Sequence, residues 1–395
     1  MLMNWNRIQL RIRRVATDLV IAALLLSIMG GHAKAGKKPK GPTFDPTKLV
    51  WPLPPEQPRL RFEALIRGVA DVEPVKKANF LDRVAGIQVR DLKPTFSKPY
   101  GIAVNSKGVI FVSDSTQGVV FALDRANHKA TYYGITPQAR VRMPMGIAVD
   151  ARDRLWVADA ISGKVYVFDT DGTLIWGLGK MGEMNNPTGV AVDDSRHRAY
   201  VVDSKAHKVL VYDTETGMLS VTFGKRGSDD GEFNYPTNIA LSPDGSRIYV
   251  ADTMNFRIQV FSADYKFVSQ FGGQGMRWGN FSKPKGISVD RFGNIYVVDS
   301  DYCNFQIFEP KNFSLLLFVG GPGNMPGTFY LPAGIHVDGN DNLYVVDQLN
   351  HRIQILKLLN GEVPAAASAP TTAAGSSGAP APPESGAAKA NTEPK

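Results

Sequence analysis

An all-β chain folded as a six-bladed β-propeller is what the sequence predicts. Three observations predict it: a motif repeated six times at one period, four strand-like runs per copy, and a last copy that lacks its final run. The repeat opens on proline, as Pro99-Tyr-Gly-Ile-Ala-Val, Pro144-Met-Gly-Ile-Ala-Val, Pro187-Thr-Gly-Val-Ala-Val, Pro236-Thr-Asn-Ile-Ala-Leu, Pro284-Lys-Gly-Ile-Ser-Val and Pro332-Ala-Gly-Ile-His-Val. The prolines step by 45, 43, 49, 48 and 48 residues. A second anchor follows in each copy, from Ile110-Phe-Val-Ser-Asp114 to Leu343-Tyr-Val-Val-Asp347. A fixed period of this length marks a repeat architecture, and four-stranded units of about 45 residues are propeller blades.

Within a copy, strand a is the Gly-Ile-Ala-Val run and strand b the Ile-Tyr-Val-Val run. Strand c is typified by Arg257-Ile-Gln-Val-Phe261 and strand d by Phe267-Val-Ser-Gln-Phe271. Turn signals separate them, such as Arg291-Phe-Gly-Asn294 between a and b and Asp169-Thr-Asp-Gly172 between c and d. Blades packed face to face bury both faces of each sheet, which explains why strands a and b read as nearly continuous apolar runs. The sixth copy stops after strand c, and a spare run, Arg59-Leu-Arg-Phe-Glu-Ala-Leu-Ile66, precedes the first. Residues 59–67 are therefore expected to complete the last blade and close the ring, removing free sheet edges.

The flanks divide the rest of the chain. Arg7, Arg11, Arg13 and Arg14 precede an apolar run from Leu19 to Met29, and Ala33-Lys34-Ala35 follows. This reads as a signal peptide over 1–35, with a retained membrane anchor as the alternative; the run is shorter than the ~20 apolar residues of a span. The mature chain is then exported to the periplasm or beyond. Residues 36–58 carry seven prolines and read as a Pro-rich linker, with Trp51 either docked on the propeller or exposed. The propeller occupies 59–360, with an insertion at 72–92 in which a short helix is expected over 75–84. The tail, 361–395, has no aromatic residue, Leu or Ile and reads as disordered.

The formal charge of +8 shrinks when it is apportioned. Residues 59–360 hold 34 basic and 31 acidic residues, a net of +3. Bulk charge thus gives no support for a nucleic-acid partner. The single cysteine excludes an intramolecular disulfide and any multi-cysteine metal site.

The repeats resemble the NHL-repeat family of six-bladed propellers, of the exported bacterial type. The opening pattern Gly-x-Phe-x-x-Pro is matched by Gly231/Phe233/Pro236, Gly279/Phe281/Pro284 and Gly327/Phe329/Pro332. The closing pattern Asp-x-x-Asn-x-Arg-Ile is matched by Asp252/Asn255/Arg257/Ile258 and Asp347/Asn350/Arg352/Ile353. The fifth copy reads as carrying Gln306 in place of that arginine, with two extra residues after Asp299. The resemblance spans roughly 99–359, and it implies a binding role with no single chemistry.

Catalytic signals are sparse. The aspartates Asp114, Asp159, Asp203, Asp252, Asp299 and Asp347 recur once per blade, as turn fasteners do. His336 alone stands on an inner strand where other copies carry Ala or Ser; it is a possible channel residue, as is Asn238, against the reading of His336 as a hydrogen-bonded core side chain. The mouth residues Tyr100, Met145, Thr188, Thr237, Lys285 and Ala333 do not compose a calcium cage. No cofactor is expected and no catalytic residue is assigned.

The d–a and b–c loops share one face. The d–a loops hold ten basic and four acidic residues, with aromatic and Met residues interleaved. The expectation is a non-enzymatic scaffold, a monomer or one subunit of a larger complex, that binds a protein or anionic polymer through this face. The residues that would carry binding are Tyr100, Arg140, Arg142, Met145, Lys225, Arg226, Met254, Phe256, Arg277, Trp278, Lys283, Lys285, Tyr302 and Phe305. The alternative is a lyase or lactonase-like enzyme with a metal at the channel mouth.

Overall fold

The computed structural model describes residues 45–73 and 93–359. The segments read as signal peptide and tail, the spacer before Asp45, and the helix expected over 75–84 lie outside the described residues. Six antiparallel sheets form the propeller, each running a-b-c-d outward from the centre. Blade 1 is Pro99–Val104, Ile110–Asp114, Val119–Asp124 and Lys129–Tyr133. Blade 2 is Pro144–Val149, Leu155–Asp159, Lys164–Phe168 and Leu174–Leu178. Blade 3 is Pro187–Asp193, Arg198–Asp203, Lys208–Asp213 and Leu219–Phe223. Blade 4 is Asn238–Leu241, Arg247–Asp252, Arg257–Ser262 and Phe267–Gly272. Blade 5 is Pro284–Val289, Ile295–Asp299, Asn304–Phe308 and Leu315–Gly320. Among the described residues the only helices are short 3-10 turns.

Blade 6 is assembled from both ends of the domain. Pro332–Val337, Asn342–Asp347 and Arg352–Leu358 supply strands a to c, and Leu60–Ile66 pairs antiparallel with strand c as strand d, from Leu60 opposite Leu358 to Ile66 opposite Ile353. Val50–Trp51 adds a fifth strand outside it, and Trp51 packs against the core shared by blades 5 and 6. From Pro46 onward, then, the Pro-rich segment belongs to the outer layer of the last blade.

Burial falls from centre to rim. Every residue of Ile110–Asp114, Leu155–Asp159 and Ile295–Asp299 is buried, whereas the outer strands Phe267–Gly272 and Leu219–Phe223 keep exposed residues along their length. Between blades the cores are filled by large side chains, among them Phe111, Trp156, Tyr200, Tyr296 and Phe308. Around the axis the inner strands approach backbone to backbone. A Cβ on Gly101 would sit 2.4 Å from the Met145 carbonyl oxygen, and one on Gly334 the same distance from that of Tyr100. The glycine of the Pro-x-Gly motif is therefore a contact requirement between blades.

Leu60, Phe62 and Ile66 of the closing strand are buried. At about 1.5–3 kcal/mol per large apolar side chain, their burial contributes roughly 5–9 kcal/mol, comparable with the whole net stability of a domain. Deleting 59–67 is expected to unfold the propeller or drive association through the bared edge of Arg352–Leu358. Thermal melting and light scattering after gel filtration check this; a monomer with unchanged melting would show that closure lies elsewhere.

Candidate functional site: the loop-rich face

The b–c turns bind the d–a loops directly. The first turn residue, or the second in blades 4 and 6, donates its N–H to a carbonyl of the preceding d–a loop: Ser115 to Lys98, Ala160 to Met143, Ser204 to Asn186, Met254 to Asn234, Ser300 to Lys283 and Leu349 to Tyr330, all at 3.0–3.1 Å. The aspartate ending strand b completes the joint. Asp114 accepts from Ser97 N at 2.6 Å and Lys98 N at 3.0 Å; Asp159, Asp203 and Asp299 likewise accept two loop amides, and Asp252 and Asp347 accept one each, from Asn234 N and Tyr330 N. All six are buried to 0% exposure. Four residues after each aspartate the chain adopts positive φ, at Gly118, Gly163, His207, Phe256, Cys303 and His351. Cys303 is thus a buried turn residue.

The loops entering blades 4, 5 and 6 share one conformation. Phe233, Phe281 and Phe329 are fully buried, and each makes the same parallel bridge, to Arg226, Gln274 and Pro322. In blade 4, Arg257 clamps its loop: its guanidinium donates to Asp252 at 2.9 Å, Gln270 at 2.6 Å, and the Asp229 and Glu232 carbonyls at 2.8 and 3.0 Å. In blade 6, Arg352 reaches Asp347 at 2.6 Å and the Asn324, Met325 and Thr328 carbonyls at 2.7–3.0 Å. Asn255 and Asn350 add a second tie, to the Gly227 and Gly323 carbonyls.

Blade 5 differs, and the register corrects the sequence reading. Asp299 pairs with Asn304 just as Asp252 pairs with Arg257 and Asp347 with Arg352. Asn304, not Gln306, stands in the arginine's place, and the copy has no extra residues. Gln306 occupies the position of Gln259 and Gln354 and makes their bonds: it accepts from Gly279 N and donates to the Asn280 carbonyl. Where the arginine is missing there is a pocket of about 360 Å³, lined by Met276, Arg277, Trp278, Asn280, Asp301, Tyr302, Asn304, Gln306, Phe318, Gly321 and Pro322. Trp278 is 82% exposed and stacks on Phe318 with ring centroids 6.3 Å apart.

The other site residues divide by burial. Phe305 is fully buried between blades 5 and 6 and Tyr100 is buried in the core between blades 6 and 1, so neither offers contact area to a partner. Both are aromatics on the loop side of their strands, but a propeller strand has no solvent face near its centre. Arg140, Arg142, Lys225, Arg226, Arg277, Met254 and Trp278 are exposed; Met145, Phe256, Lys283 and Tyr302 are half-buried. Lys283 pairs with Asp301 at 3.0 Å and Lys225 with Glu232 at 3.0 Å, which neutralises part of the basic face. Lys285 lies at the channel mouth, where burial pulls its pKa down against the attraction of Asp301. Met181, Met276, Met325 and Tyr330 are exposed on the same loops and carry no sequence motif.

The two channel residues are not brought together. Asn238 joins Gly101, Gly146 and Gly334 around a constriction of about 50 Å³ and bonds its own Oδ1 to Ile239 N at 2.9 Å. His336 opens instead toward the a–b turns, beside Asn105, Ser106 and Asp338. Among the described residues no three His, Cys, Asp or Glu side chains cluster as metal ligands. His336 keeps a little accessible area, yet its ring is crowded by protein, and burial holds its pKa down to about 4 against a weaker upward pull from Asp338.

A propeller of this plan is also what the comparisons find. The DUF5128 family, described as a 6-bladed β-propeller, matches residues 146–223 and 226–304. No curated protein sequence matches the chain. Among solved structures, a Bacteroides thetaiotaomicron protein of unknown function is similar at TM-score 0.54 and 18% identity, over 76% of this chain and 76% of that one. A Xanthomonas campestris gluconolactonase is similar at TM-score 0.52 and 18% identity, over 67% and 87%. An auxiliary nutrient binding protein from Bacteroides thetaiotaomicron is similar at TM-score 0.52 and 13% identity, over 66% and 69%. Likeness at these identities establishes the shared fold alone.

Two outcomes follow from the geometry. Arg352→Ala leaves Asp347 buried without its cation and is expected to cost about 3–5 kcal/mol, read as a lower urea midpoint; a loss below about 1 kcal/mol would show the aspartate to be held by its amides alone. The second concerns pH. The folded chain keeps His336 neutral down to about pH 4, while the unfolded chain takes up that proton near 6.5. Stability from this residue is therefore complete above the higher value and falls as pH drops toward the lower one. Melting temperatures of the parent and His336→Gln across this interval should diverge, with the variant less pH-sensitive.

Proposed function

We propose that the chain is an exported, non-enzymatic propeller of the NHL-repeat kind that binds a protein or anionic polymer partner with its d–a/b–c face. The observation that carries the reading is where exposed apolar side chains lie. Among the described residues sixteen large hydrophobic side chains are exposed, and nine of them stand on this face: Ile135, Ile161, Met181, Tyr235, Met254, Met276, Trp278, Met325 and Tyr330. The a–b and c–d turns of the opposite face carry two, Met218 and Phe292. Aromatic, Met and Arg side chains are the types enriched where proteins meet. Exposed Arg140, Arg142, Arg226 and Arg277 surround them, so an anionic partner would be steered to the face. The basic segment ahead of the apolar run, Leu19 to Met29, supports export of the mature chain.

Binding kinetics with the co-purifying partner test the reading. Trp278→Ala is expected to weaken binding roughly 30-fold, mainly through faster dissociation, as a central aromatic anchor does. Reversing Arg140, Arg142 and Arg277 to Glu should slow association and flatten its salt dependence. Met218→Ser and Phe292→Ser on the opposite face should change nothing. A partner indifferent to the first two variants and lost with the last two would place binding on the opposite face.

A further inference from the structure

We propose that the blade 5 pocket is a receptor for a guanidinium group, taken from an arginine side chain of a partner protein in place of the internal arginine that blades 4 and 6 carry. The inference deepens the preceding reading and rests on it only in drawing the occupant from a partner. The internal repeat itself specifies the ligand. In blades 4 and 6 the same loop conformation, the same strand-b aspartate and the same strand-c glutamine surround a guanidinium that spends its N–H groups on loop carbonyls and on the carboxylate. In blade 5 the loop acceptors remain, while Asp299 is buried and takes the Ser282, Lys283, Asp301 and Tyr302 amides instead. Arg277 and Asn280 stand where Asp229 and Glu232 stand in blade 4: each closes the same turn, Asn280 N donating to the Arg277 carbonyl as Glu232 N does to that of Asp229.

A second observation points to a missing donor. Asn304 is 1% exposed, lines the pocket, and its Oδ1 has no hydrogen-bond partner. Its amide nitrogen donates to the Tyr302 carbonyl at 3.3 Å, so the open valence is an acceptor's. A buried acceptor with no donor is rare in native proteins and calls for an N–H group from outside. Asp301 adds a carboxylate to the lining.

The remaining wall favours a planar cation. Phe318 occupies the register position held in blade 4 by Gln270, whose amide oxygen receives one Arg257 nitrogen. An aromatic face thus replaces an amide acceptor, and Trp278 stacks on it, 19° from parallel. A guanidinium stacks on such rings while its edge nitrogens stay free to donate; an ammonium cannot do both as well. An anion would meet carbonyls, an amide oxygen and the Asp301 carboxylate, with Arg277 the one cation in the lining.

The test titrates the full chain with N-acetyl-arginine amide, reading tryptophan fluorescence and NMR shifts. Saturable binding is expected, with N-acetyl-lysine amide and the neutral isostere N-acetyl-citrulline amide at least tenfold weaker. Asn304→Arg should fill the pocket from within and abolish binding while melting no lower than the parent. Asn304→Leu, which removes the acceptor without adding charge, should weaken binding, and Trp278→Ala should weaken it about tenfold. Absence of saturation, equal binding of citrulline, or undiminished binding by Asn304→Arg would overturn the proposal. So would binding that emerges only in Arg277→Ala, since Arg277 would then be the pocket's own occupant. If the probe binds as expected but the partner ignores Trp278→Ala, the docking-face reading fails and the pocket stands.

Discussion

The buried aspartate at the end of each strand b is the interaction on which the rest of this molecule depends. Strand b must end where the chain turns out to strand c, and the d–a loop must arrive at the same corner to start the blade. Both segments bring backbone N–H groups that find no ladder partner there. One carboxylate can accept several of them, and charge-assisted bonds to backbone amides are strong enough to hold a carboxylate away from water. Burial pushes the Asp252 and Asp299 carboxyls up, while the surrounding donors pull the other way. The result is a face whose loops are fastened at their bases and vary at their tips.

That division explains why six similar blades can present six dissimilar loops. The fastener needs an aspartate, a residue able to take positive φ, and a proline to open the next strand. Nothing in it constrains the tip. Blades 4 and 6 add an arginine that ties the tip down as well. Blade 5 keeps the fastener and drops the arginine, so its loop is held by Gln306 and Asp299 while Trp278 and Met276 project above it. The pocket arises by subtraction from a repeated design, which is why its shape and its acceptors were already suited to a guanidinium.

Much of this was legible in the sequence. The proline period and the Tyr-Val-x-Asp runs gave six blades, and the missing last strand, set against the spare run at 59–66, gave the closure. Burial within a blade was not legible. Alternation along a strand tells inside from outside only when one face meets water, and here Phe305 and Tyr100 lie between blades. The pocket hides behind a register ambiguity: Gln306 falls in the arginines' place by motif spacing, whereas counting five residues from Asp299, as from Asp252 and Asp347, lands on Asn304. The two channel residues stand at different positions of strand a, Asn238 two residues after Pro236 and His336 four after Pro332, so they open at different heights.

Ring closure and the pocket meet in one place. The segment that completes blade 6 also carries Trp51, whose ring lies so near Gly327 that a Cβ there would fall 2.4 Å from it. Gly327 sits in the loop entering blade 6, and the start of that loop, Gly321 and Pro322, forms a wall of the blade 5 pocket. The loop is further held by Arg352 and Asn350. One wall of the pocket is therefore fixed by a clamp, by a second tie and by the closing segment, while the facing wall, with Met276 and Trp278, has lost its clamp. The pocket thus opens between a loop held by its own arginine and a loop that has none, and that difference traces to which blade kept its arginine.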